Sequence, residues 1–215
     1  MAISYPRTDI MSAVDWSTNT TPLQLVSRQE QSRLASGKTI GKDLGPALWQ
    51  GTFSTAPMLN VDALAFEAML NSLDGVLNAF EAGDMRAAAQ YPRAYPTGNF
   101  NDTGTLLSVN ANNKALALTG LDAGMQISAG CYLSFDYGSS RALHQVMESV
   151  TANGSGVTTQ FEVRPYIRAG YTLTSAVKLK QPRGIFVLLP GSVSSKLDPE
   201  ANASAVTFQA IQNLS

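Results

Sequence analysis

The chain has 215 residues, of which 44% are hydrophobic and only 14% charged, with a formal net charge of −1, one Cys and one His. That length holds one large domain or two small ones and builds a core without metal or disulfide staples, but the charged fraction falls well below the roughly 25% of an average soluble protein. So few charges repel neighbouring copies weakly, which favours assembly over life as a dispersed enzyme. The near-neutral balance excludes a basic nucleic-acid-binding face, the single cysteine excludes an internal disulfide and a cysteine zinc site, and no apolar run reaches the ~20 residues of a membrane span. Met1 to Arg7 lacks the basic-then-apolar pattern of a cleaved signal, so synthesis in a cytoplasm is expected and the Asn-x-Ser/Thr triplets at Asn19, Asn101, Asn153, Asn202 and Asn213 are read as chance.

In chain order, Leu23 to Arg28 begins a strand that the polar stretch to Arg33 extends as an exposed edge. Ala47 to Phe53 is a second strand, with Trp49 and Phe53 on one face and Gly51 between them. A helix follows. Asn60 is the expected cap, Asp62 suits the positive end of the helix dipole, and Gly75 stands just beyond the end. Phe66, Met69, Leu70 and Leu73 form its apolar stripe, with Glu67, Asn71 and Asp74 opposite. Gly75 to Glu81 is expected to return as a strand, and Met85 to Gln90 is too short for a second long helix.

From Tyr91 to Gly98 two prolines make a turn-rich connector. Short strands at even spacing follow, at Leu106–Val109, Ala115–Thr119, Tyr132–Asp136, Leu143–Val150, Thr158–Pro165 and Ala176–Lys180, the pattern of a small antiparallel barrel or sandwich. Asn112-Asn113 and Asn153-Gly154 have hairpin-turn chemistry. After the break at Gln181 to Gly184, Ile185 to Leu189 is apolar throughout and needs cover on both faces, and Ala205 to Ile211 alternates again.

The expected fold is therefore mainly β: a sandwich with one packed helix, built from residues 1–96 and 184–215, and a small antiparallel barrel inserted at 97–183. The first ninety residues alone leave sheet edges open, which two returning strands would complete. Two consecutive domains are the alternative.

No catalytic, cofactor-binding or metal-ligating residue is assigned. His144 and Cys131 make a dyad only within hydrogen-bond reach, which their spacing does not require. Ser36-Gly37-Lys38-Thr39 imitates the end of a phosphate loop, but Ser32 stands where that loop needs glycine. Gly154-Ser155-Gly156 lacks the rest of a dinucleotide fingerprint and reads as a flexible loop tip. Glu67, Asp74, Glu81 and Asp84 could pair as glycosidase carboxylates, yet a solvated helix face explains the first two. Arg164, Arg168, Lys178, Lys180 and Arg183 read as edge protection and solubility.

Two segments carry a resemblance. Trp49-Gln50-Gly51-Thr52-Phe53, the helix, and Gly75 to Asp84 resemble the tube-forming β-sandwich domain of long-tailed phages and gene transfer agents. Ala129 to Phe135, Arg141 to Val146, Phe161 to Arg168 and Ala176 to Pro182 are similar to a segment of phage distal-tail proteins, with Cys131 where the usual form has Asp. The resemblance touches about half of the chain. It implies a virion component: a homo-oligomeric ring, usually a hexamer, between the tail tube and the hub or baseplate. DNA would pass through its channel as cargo, and the inserted barrel would project outward to hold fibres or baseplate parts. The lumen is expected neutral to acidic, without Arg28, Arg33, Lys38 and Lys42. The rival readings are a carbohydrate- or receptor-binding module using Tyr132, Phe135, Tyr137, Tyr166 and Tyr171, and a cell-wall hydrolase using Glu67 and Asp74.

Overall fold

A computed structural model describes residues 3–17, 22–138, 140–198 and 202–214. A 3-10 turn at Ile10–Ser12 precedes β1 (Gln24–Arg33), β2 (Thr39–Ser54), β3 (Met58–Leu59), helix α1 (Asn60–Asn71), β4 (Ala79–Ala82) and the single turn α2 (Ala87–Gln90). Then come β5 (Thr105–Val109), β6 (Ala115–Thr119), β7 (Gln126–Ile127), β8 (Tyr132–Tyr137), β9 (Ser140–Val146), β10 (Val150–Thr151), β11 (Phe161–Arg164) and β12 (Val177–Lys178). The chain closes with β13 (Gly184–Leu188), β14 (Ser194–Asp198) and β15 (Ala203–Gln212). The molecule is mainly β, with antiparallel sheets in a sandwich-like arrangement and one nearly closed barrel.

The first sheet runs β1-β2-β15-β13-β4, with β3 and β14 also paired to β15. β15 is its spine: it alternates buried and partly exposed residues, pairing with β2 and β3 on one side and β13 and β14 on the other. Every residue of β13 is buried, as its apolar run requires. Phe208 stands opposite Phe53 in the register and stacks on it at 5.3 Å, with Phe66 of α1, Phe80 and Trp16 around it at 6.1–6.2 Å. Gly51 is small for a reason: a Cβ there would lie 2.8 Å from the Leu23 side chain, which packs under this face. At the far edge, Arg7 pairs with β4 in parallel, its N–H donating to the Ala79 carbonyl at 3.0 Å, and so covers backbone groups that would otherwise be open.

The second sheet runs β12-β8-β9-β11-β6-β5. A bridge between Thr105 and Ala176 brings its two ends together, with Val177 N donating to Gly104 O at 2.8 Å. Leu106, Leu116, Leu118, Leu133, Phe161 and Val163 fill the interior. The two sheets meet at β9 and β13, where Trp49 Nε1 donates to the Leu143 carbonyl at 2.8 Å and the Trp49 ring meets Tyr132 edge-on at 5.5 Å. Tyr132 and Leu143 thus belong to the core of the first sheet although their strands belong to the second.

Several local expectations are corrected. Leu59, not Asn60, occupies the cap position of α1 and has no polar side chain to offer, while the Asn60 side chain donates from Nδ2 to Asn202 Oδ1 at 2.6 Å and accepts at Oδ1 from Ser204 Oγ at 2.7 Å. Gly75 to Leu77 form turn, and the strand begins only at Ala79. The expected strand Leu143–Val150 divides into β9 and the separate β10, which pairs with β7. Asn153-Gly154 does turn the chain, but the strands on either side do not pair with each other. Gly156 is no loose tip: its φ is +72°, and a Cβ there would fall 2.1 Å from the Leu121 carbonyl.

Candidate functional site

The residues singled out for chemistry are dispersed. Ser195 Oγ donates to Glu67, Asn78 Nδ2 donates to Asp74, Glu81 pairs with Arg141 at 2.7 Å, and the buried Asp84 holds Arg86 at 2.6 Å. Each of these four carboxylates therefore serves its own hydrogen bond or ion pair. Cys131 is buried with its Sγ accepting from Arg93 N at 3.5 Å, while His144 bonds elsewhere. Among the described residues no three or more His, Cys, Asp or Glu gather as a metal site. Ser36 to Thr39 make the exposed tip between β1 and β2, closed by Leu34 N donating to Lys38 O at 2.9 Å.

The basic group also separates. Arg164 pairs with Glu162, Lys178 with Asp102, and Lys180 lies 4.8 Å over the Phe100 ring. Arg183 departs from the expected surface role: its side chain is half-buried, burial lowers its pKa, and its backbone N–H donates to Ser134 Oγ at 3.3 Å. The five aromatics proposed as a sugar platform do not share a face. Tyr132 and Phe135 are buried in different cores, and Tyr166 is the well-exposed one, with Lys114 and Arg164 at 5.1 and 4.8 Å from its ring. Tyr166 borders a groove of about 370 Å³ between Leu25, Pro46 and Ala47 on one side and Arg164 and Arg168 on the other.

Two surfaces are built unlike the rest. In the β1–β2 hairpin every residue from Val26 to Leu44 is exposed, so this arm adds no side chain to either core. It carries Arg28, Arg33, Lys38 and Lys42, and it displays Leu34, Ile40 and Leu44 at nearly half exposure. On α1, Ala63, Phe66 and Leu70 face inward, yet Val61 and Leu64 stand 68% and 65% exposed, with Ala65 and Ala68 exposed beside them. A helix that is apolar on its outer stripe as well as its inner one is suited to burial from both sides. The polar arm is legible in the sequence as an edge, whereas this outer stripe is not, because the inner stripe alone accounts for the helical period.

At the junction of the sheets, His144 is 2% exposed, stacks on Phe135 at 5.3 Å, and donates from Nδ1 to the Pro165 carbonyl at 2.8 Å. Burial lowers its pKa to about 4, against the weaker opposing pull of that carbonyl. Tyr132, beside Asp84 and Arg86, is pushed up to about 12, first by burial and then by the Asp84 charge. Gln212 was missed from sequence, although the alternation of β15 continued by one residue places it inward. In the described residues no helix is long and apolar enough to cross a membrane. No protein-family model matches the chain, and no curated protein matches it.

Proposed function

We propose that the chain is a structural subunit of a virion: a distal tail protein that forms a ring joining the tail tube to the hub or baseplate and lets DNA pass through its channel. The observation that carries this reading is the β1–β2 arm, a hairpin in which every residue from Val26 to Leu44 is exposed. A two-stranded element with no apolar cover is marginal by itself and gains stability against another molecule. The apolar outer stripe of α1 and the low charge of the whole chain support the same conclusion. Copies placed head-to-tail and closed by rotation, six in the form the resemblance implies, satisfy these surfaces without open-ended fibres. The barrel, residues 97–183, is the part placed to meet fibres or other baseplate components, with the ring-forming part contributed by 1–96 and 184–215.

The test uses Ile40→Asp combined with Leu44→Asp. Both positions are about half exposed and touch no core, so thermal unfolding of the purified chain is expected to stay within about 0.5 kcal/mol of wild type. Incorporation of the variant into tails is expected to be lost. Normal incorporation would refute the arm as an assembly element.

A carbohydrate- or receptor-binding role is the second reading, favoured by exposed Tyr166 with two cations on its ring. Glycan-array binding that disappears with Tyr166→Ala would support it over the conduit.

A further inference from the structure

We infer that the cavity between β9 and the end of β15 is a binding site for one internal water, shared by the two sheets. Phe135, Leu143, Pro165 and Leu214 supply apolar walls, and the polar residues His144, Gln212 and Tyr137 also line it. The cavity holds about 10 Å³, close to the minimum of roughly 10–15 Å³ that one water requires.

Three buried atoms here have no protein partner: His144 Nε2, Gln212 Nε2 and Tyr137 Oη. His144 and Gln212 are 2% and 3% exposed, so bulk solvent does not satisfy them. Burying such groups without a hydrogen-bond partner is unfavourable.

The chemistry of the three selects the ligand. The Pro165 carbonyl only accepts, so His144 must donate to it from Nδ1–H, and in the neutral ring Nε2 is left as a lone-pair acceptor. Gln212 Oε1 accepts from Trp49 N at 3.4 Å, which turns the amide so that its NH₂ end is the free donor. The site therefore needs a ligand that donates to one group and accepts from another. A water does both. An anion would face the His144 lone pair, and a cation would face Arg168, which lines the same cavity with no Asp or Glu among the described lining residues. Bound there, the water ties the closing strand β15 to the barrel strand β9, beside the Trp49 to Leu143 bond.

A crystal structure of the full chain at atomic resolution tests this. The expected result is one well-ordered solvent peak within hydrogen-bond distance of both His144 Nε2 and the Gln212 amide nitrogen. An empty cavity, or His144 Nε2 accepting directly from a protein donor, would overturn it. In solution, oxygen-17 relaxation dispersion is expected to lose one slowly exchanging water when Gln212→Leu is combined with His144→Leu. No loss in the folded variant would overturn the inference, and if that variant does not fold, the wild-type crystal decides.

Discussion

Phe208 holds the centre of the first core, with stacked, tilted and edge contacts to Phe53, Phe66, Phe80 and Trp16. It is fully buried, so Phe208→Ala is expected to destabilise the chain by about 3–5 kcal/mol, measured by chemical denaturation. His144 adds a pH dependence with a definite sign. Its folded pKa of about 4 lies below the ordinary value near 6.5, so the unfolded chain binds the proton first as pH falls. Stability from this residue is whole above pH 6.5 and declines towards pH 4, by about 3 kcal/mol in all. His144→Gln removes that contribution. Denaturation of both chains across this window checks it, and parallel curves would contradict it. In sequence, His144 read as an ordinary strand residue. That was correct for its backbone and silent about its partners, because Pro165 and Gln212 are brought to it only by the fold.

At the scale of elements, legibility followed hydrophobic pattern. β15 alternates and β13 is uniformly apolar, and both were readable because burial dictates those patterns. β14 was not: all five of its residues are exposed, and it is held through backbone pairing with β15, which leaves no side-chain signal. The cap of α1 failed for a different reason, since a tertiary pairing with Ser204 and Asn202 claimed the Asn60 amide. The outer stripe of α1 yields its own prediction. Val61→Lys and Leu64→Lys each replace a side chain about two-thirds exposed, so the isolated chain is expected to change stability by less than about 0.5 kcal/mol. A larger loss, read from thermal unfolding, would mean that the stripe is covered within the chain itself.

For the whole molecule, the long-range pairing matters most. β13 and β15 lie between β2 and β4, so a chain ending at residue 183 leaves Phe53 and Phe80 without their neighbours. Loss of amide protection throughout residues 24–82 is expected in hydrogen exchange, and persistent protection there would contradict the topology. Removing residues 97–183 is the milder change, but it uncovers Trp49, which packs on Tyr132 and bonds to Leu143. The remaining sheet is expected to fold with a deficit of about 2–3 kcal/mol, the value of one large side chain's burial. The two connectors were legible from their prolines, whereas this contact between sheets was not, since it joins residues nearly a hundred positions apart.

The central claim is that copies of this chain close into a ring on a tail axis. Cryo-electron microscopy of the particles that carry it tests that most directly. The account predicts density for the chain around an axial channel, with each β1–β2 arm seated on a neighbouring subunit and the channel wall neutral to acidic. Finding the chain off the axis, or finding the channel lined by Arg28, Arg33, Lys38 and Lys42, would contradict it.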